Sequence, residues 1–259
     1  MAALVLAIAS PAGWADDDEE EIPYDEAEIF FELNNTDGDL GIHALIDGEG
    51  WKNLSIEDPN ERKMLNVRVK GRLRQQGLTE IFFESAEPTF DELHPNDFFE
   101  RFPAGDYEIE GRTLDGMELE SETELTHLMP APPEPTVSPN VNDMPFDDDC
   151  DDDAATEVSR SGPITIAWPE VTMSHPDEDG GGAGAQPPEP VEINNYEVVV
   201  ELLNADVDST FIIQLPPDSL EITLPMEFTA LGDEFKYEVL AREESFNQTA
   251  VESCFVLVD

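Results

Sequence analysis

Along most of the chain, apolar and polar residues alternate with a period of two, the signature of strands with one buried face. "AEIFFEL" (27–33), "NVRVKGRLR" (66–74) and "LTEIFFES" (78–85) each predict a strand. In the second of these, Val67, Val69 and Leu73 share one face, and Arg68, Lys70, Arg72 and Arg74 share the other. "DYEIEGRTLDGMELESETEL" predicts a hairpin turning at Asp115-Gly116, since both residues tolerate positive φ. Its second arm sets Leu119, Ser121, Thr123 and Leu125 against Glu118, Glu120, Glu122 and Glu124. "HPNDFFERFP", bounded by Pro95 and Pro103, is the exception and predicts a short helical turn. After "MPAPPEPTVSPN" and the tract "DMPFDDDCDDDAAT" the strands resume with "PITIAWPEV", "NYEVVVELL", "STFIIQL", "LEITLP", "DEFKYEVLAREE" and "AVESCFVLV". Short strands, frequent turn residues and no sustained 3.6-residue period define an all-β chain of two β-sandwich-type domains.

Two stretches interrupt the pattern. The proline-rich acidic segment 130–160 is expected to be an extended, semi-stiff linker. The glycine-rich insert "HPDEDGGGAGAQPPEP" contains too few apolar residues to pack a core. The resulting division is an N-terminal β domain over 27–129, the linker over 130–160 and a C-terminal domain over 161–259.

The second domain carries a resemblance. "ITIAW" with Trp168, "YEVVV" with Tyr196, "GDEFKYEVLA" and the last strand "ESCFVLV" resemble a fibronectin type III domain over roughly residues 160–258. The resemblance implies a sandwich with Trp168 and Tyr196 as a core pair. Phe235 stands where that family usually has a corner tyrosine. In the first domain "FPAGDYEIEGRTLDG" resembles the closing hairpin of immunoglobulin-like domains. Such folds imply interaction modules and do not name a partner.

Charge narrows the partners. Among 259 residues there are 61 acids against 12 bases, a formal net charge of −49, which repels nucleic acid and anionic membrane surfaces. Hydrophobic residues at 39% still suffice for packed cores. The start, "MAALVLAIAS" followed by "PAGWA", resembles a signal peptide over 1–15, too short to span a bilayer. Six consecutive acids (16–21) open a segment, 16–26, expected to be disordered. These features predict an exported protein of the periplasm, cell surface or medium, with an envelope protein or polysaccharide as partner and no membrane insertion.

Candidate chemistry is sparse. "NNTDGDLGIHALIDGEGW" (34–51) packs acids among glycines. It fails the EF-hand pattern, because counting from Asn35 places Leu40 at the glycine position and Ile46 at the bidentate acid. A looser calcium site from Asp37, Asp39 and Asp47 stands against a plain turn, and calcium is the one cofactor the sequence suggests. Four histidines, at 43, 94, 127 and 175, show no zinc spacing and are expected at the surface or in loops. No nucleophile or phosphate-loop motif occurs, so the expected role is non-enzymatic binding or structure, with a calcium-dependent recognition module for carbohydrate or protein as the alternative. Seven of the 12 bases lie within 52–74. Arg68, Lys70, Arg72 and Arg74 form either a binding face or a ladder against the glutamates of 118–124. In an oxidising compartment Cys150 and Cys254 are expected to form a disulfide. Asn34, Asn53 and Asn247 begin glycosylation sequons, which matter only in a host that glycosylates.

Overall fold

The computed structural model describes residues 21–142, 155–176, 188–203 and 208–259. The signal-like residues 1–15, Cys150 and the glycine-rich stretch 180–184 lie outside the described residues. The chain order is β1 (Glu26–Asn34), β2 (Asp39–Glu57), β3 (Lys63–Arg68), β4 (Leu78–Glu84), α1 (Pro95–Arg101), β5 (Gly105–Thr113), β6 (Glu118–Leu125), β7 (Thr136–Ser138), β8 (Thr156–Ser159), β9 (Thr165–Ala167), β10 (Ile193–Leu202), β11 (Thr210–Leu215), β12 (Glu221–Thr223), α2 (Met226–Thr229), β13 (Glu234–Glu243) and β14 (Gln248–Val258).

Two separate cores organise these strands. The first is drawn from residues 22–129 and is centred on Phe31, Trp51, Tyr107 and Ile109, all fully buried. The 19-residue β2 serves both layers around it. Its first half pairs with β1 and β4, its second half with β3 and β5. The register shifts near Trp51, just past Gly48 and Gly50, where the strand passes between layers. Of segment 16–26, expected to be disordered, residues 16–20 lie outside the described residues and residues 21–26 are structured. Ile22 pairs in parallel with Leu119, and Tyr24 is buried. Gly111 permits that crossing, because a Cβ there would lie 2.1 Å from the Tyr24 hydroxyl. The helical turn is α1, capped by His94, whose Nδ1 accepts from the Asn96 amide. Phe98 and Phe99 of α1 pack edge-on against Phe31. Tyr107 donates from its hydroxyl to the Pro103 carbonyl at 3.1 Å, so a corner tyrosine sits in the first unit.

The second core is drawn from residues 131–257. A three-stranded sheet, β12-β9-β7, faces the four strands β11-β10-β13-β14. This is the sandwich that the fibronectin type III resemblance implied. Trp168 meets Tyr196 at 5.3 Å between ring centroids, as expected of the core pair. Phe235 stacks on Phe255 at 5.0 Å. The linker reading of 130–160 is corrected: β7 and β8 lie within it, and Val137 and Val158 are core residues. Proline-flanked chain runs as a sheet edge here, where a missing amide costs no ladder bond.

The two units share one sheet. β14 pairs in parallel with β1 through Glu32–Gln248, Leu33–Thr249 and Asn34–Ala250, and further on with β8. The path β11-β10-β13-β14-β1-β2-β5-β6 is therefore continuous. Asn247, fully buried, fastens the joint. Its Oδ1 accepts from the Phe31 amide at 2.8 Å, and its Nδ2 donates to the carbonyls of Thr126 and Leu128 at 3.1 and 3.0 Å. Thr249 donates to the Pro130 carbonyl at 2.7 Å. The sequon at Asn247 is thus occupied by structure.

Candidate functional site

Where the shared sheet crosses the joint, its outer face carries a pocket. Alternation sends Ile29, Phe31 and Leu33 of β1 into the first core and Tyr237, Val239 and Ala241 of β13 into the second. The intervening residues point outward: Glu28, Phe30 and Glu32 of β1, His43 and Leu45 of β2, and Glu238, Leu240 and Arg242 of β13. Phe30, His43 and Leu240 are nevertheless buried, and none belongs to either core. Together with Phe82 and Glu84 of β4, Glu197 of β10 and Gln248 of β14 they line a pocket of about 300 Å³.

The pocket is acidic and partly neutralised. Arg242 pairs with Glu28 at 2.6 Å and lies over the Phe30 ring at 4.6 Å from its centroid. His43 donates from Nε2 to Glu87 at 3.0 Å, and its Nδ1 lies 3.8 Å from Glu32. Gln248 donates from Nε2 to Glu32. Phe30 and Phe82 flank the imidazole at 5.3 and 5.9 Å. Burial pushes the Glu238 carboxyl up to about 8, reinforced by the charges of Glu32 and Glu252. Asp39 rises to about 6 through burial and the neighbouring Glu87. Burial also raises Glu32. For His43 burial opposes protonation, but the Glu87 hydrogen bond and the charges of Glu32, Glu87 and Glu84 outweigh it, so its value rises. The arrangement suits a cationic group.

The residues expected from sequence lie elsewhere. Asp37 falls in a turn in which the Asn34 side chain accepts from the amides of Thr36 and Asp37, and Gly38 adopts φ +66°. Asp39 and Asp47 both lie on β2, eight residues or about 26 Å apart along an extended strand, so the three acids cannot share one ion. Among the described residues, Glu32, His43 and Glu87 bring three potential metal ligands together, with donor atoms within 4.8 Å of one another. The surface expectation for His43 is overturned. His127 is half-buried in a loop, stacked on Phe99 at 4.5 Å between ring centroids.

The ladder expectation also fails. β3 ends at Arg68, and Lys70 and Arg72 lie in the turn before a single 3-10 turn at 73–75 that holds Arg74. β2 and β5 stand between β3 and β6. The glutamates of β6 instead face acids of β5: Glu124 opposite Asp106, Glu122 opposite Glu108 and Glu120 opposite Glu110. The ion pair on that hairpin joins Arg112 and Glu118. Arg68, Lys70, Arg72 and Arg74 are all exposed. Cys254 is buried on β14.

No protein-family model matches the chain, and no curated protein matches it by sequence. Solved structures to which the chain is similar include a two-domain fibronectin type III segment of chicken tenascin, at 9% identity over 90% of this chain and 98% of that one, with a TM-score of 0.29. The FN1–FN3 domains of chicken CNTN1 match at 8% identity over 91% of this chain and 65% of that one, TM-score 0.33. A bacterial ice-binding adhesin matches at 10% identity over 92% and 66%, TM-score 0.24. At such scores these likenesses carry no argument about function. Among the described residues no helix is long and apolar enough to cross a membrane.

Proposed function

We propose that the chain is an exported, non-enzymatic binding or structural protein of the cell envelope or surface, and that it holds a cationic segment of a partner in the pocket at the joint. The observation that carries this reading is the shared sheet. Both units contribute side chains to one pocket, and buried hydrogen bonds around Asn247 fix their relation. A preformed site avoids the ordering cost that binding otherwise meets. Glu84 and Glu197 stand on its rim with fields that attract basic groups and repel anionic ones. The exposed Arg68, Lys70, Arg72 and Arg74 form a second candidate face, suited to an anionic polysaccharide or protein. Export would also place Cys150 and Cys254 where a disulfide persists.

The test is capture from native envelope extract by the purified chain. Retention of a partner that is lost in Glu84→Lys/Glu197→Lys, but kept in Glu122→Lys, supports the reading. Equal retention by all three proteins sinks it. Mass analysis of the protein recovered from its native host checks export separately: a mature start just after Ala15 is expected, and an intact start in the cytoplasm refutes it.

A further inference from the structure

We propose that Glu32, His43 and Glu87 form a binding site for one divalent transition-metal ion of the zinc class. This inference stands independently of the partner reading above. It rests on how the backbone delivers the three side chains. Glu32 of β1 lies directly opposite Gly41 of β2, and His43 is the next residue of β2 on that face. Glu87 arrives from the segment after β4, which is tied down over the start of β2. There the Ser85 amide donates to the Ile42 carbonyl at 3.0 Å, the Ile42 amide donates to the Ser85 hydroxyl at 3.1 Å, and the Phe90 amide donates to the Gly38 carbonyl at 2.8 Å. That path lays the Glu87 carboxylate across Gly41. A Cβ on residue 41 would lie 2.3 Å from Glu87 Oε1 and 2.8 Å from its Cγ, so glycine alone leaves room for the carboxylate to reach His43. The space is specific to this contact, since Gly41 itself needs no positive φ.

The donor set selects the ion. One imidazole nitrogen and two carboxylates suit zinc-like ions, whereas calcium takes six to eight oxygens. Bonds of about 2.0–2.1 Å in a tetrahedron set donor atoms roughly 3.3 Å apart. The His43–Glu87 edge, at 3.0 Å, is near that length already. Glu32 faces the other ring nitrogen, Nδ1, at 3.8 Å, and joins an ion on Nε2 by a side-chain rotation from within 4.8 Å. The outer groups are in place. Gln248 holds Glu32 by a hydrogen bond, and Phe30 and Phe82 set the plane of the imidazole. Three protein donors leave a fourth position, and His43 and Glu32 line the 300 Å³ pocket, so that position lies beside a space able to admit water or a partner's donor.

Zinc chloride titrated into the chelator-stripped full chain, followed by calorimetry, tests the assignment. Sodium chloride at roughly 0.5 M, where screening is shorter than about 8 Å, suppresses diffuse cation binding to the acidic surface. One equivalent per chain with a saturable isotherm is expected. Glu87→Gln and Gly41→Ala should each weaken it by about tenfold or more, as should His43→Gln if it folds, while Asp37→Asn leaves it unchanged. Cobalt substitution should give the absorption bands of a low-symmetry four-coordinate ion, lost in the same variants. Absence of a saturable site overturns the proposal. So does zinc binding unaltered in Glu87→Gln and Gly41→Ala, or displacement of zinc by calcium at equal concentration.

Discussion

Two carboxylate-rich faces of one sheet behave in opposite ways. On the β5–β6 hairpin Asp106, Glu108 and Glu110 stand across from Glu124, Glu122 and Glu120, exposed and mutually repelling. At the joint, Glu28, Glu32 and Glu238 sit among Phe30, Leu240 and Arg242, withdrawn from water and individually partnered or proton-retaining. Alternation is the same in both places. What differs is the neighbours: at the joint the carboxylates share a pocket with the buried Phe30, His43 and Leu240 and with Arg242. Water and salt screen the first set of charges; hydrogen bonds, an arginine and bound protons settle the second. Charge alone therefore does not mark a site, and burial beside apolar side chains does.

The comparison breaks most readily at its support. Asn247→Ala strips partners from the Phe31 amide and from the Thr126 and Leu128 carbonyls. It should destabilise the chain by about 3 kcal/mol or more in urea unfolding. A loss as small as that of a surface variant would mean that the joint does not depend on it. Arg242→Leu removes the Glu28 pair and the contact over Phe30, leaving a half-buried carboxylate unpaired. A cost of about 2 kcal/mol is expected, persisting at high salt.

Next in size is a pH effect. Glu238 rises from 4.5 to about 8 in the folded chain, facing Glu32, Glu252, Glu197 and Lys236. Between those values the folded state keeps a proton that the unfolded state has released, so stability falls as pH rises through this window. Glu238→Gln should match the parent near pH 4 and exceed it near pH 9; parallel stability curves for the two proteins would refute the assignment. The smallest effect belongs to the hairpin. Glu122→Gln should stabilise by less than about 0.5 kcal/mol, and the gain should vanish in concentrated salt.

Strands were legible wherever a single face was buried. "AEIFFEL" and "LTEIFFES", the Asp115-Gly116 hairpin and the six strands after Gly162 announce themselves by alternation and turn residues. The joint was not legible, because β1 meets β14 across 216 residues of sequence and no local pattern encodes that pairing. The segment around Val137 misled for a related reason. Prolines at 135 and 139 look alike in a free linker and in a short edge strand. Within the site, Glu32 and Glu87 were lost among 61 acids. His43 alone left a trace: a polar residue amid Leu40, Ile42, Ala44 and Ile46, two positions after a glycine in a strand. The basic run at 66–74 kept its alternation only to Val69, since Gly71 turns the chain away at φ +65°.

The parallel register of β1 and β14 has a mechanical consequence. Tension applied through residues 21 and 259 would pull β1 toward its start and β14 toward its end. Because the two strands run the same way, those forces oppose each other along the strand axes. The hydrogen bonds joining Glu32–Asn34 to Gln248–Ala250 would then be loaded in shear and strained together, instead of peeling one after another. Asn247 adds its bonds beside the same seam. A molecule pulled at these two points would transmit the load through this joint as a rigid coupling.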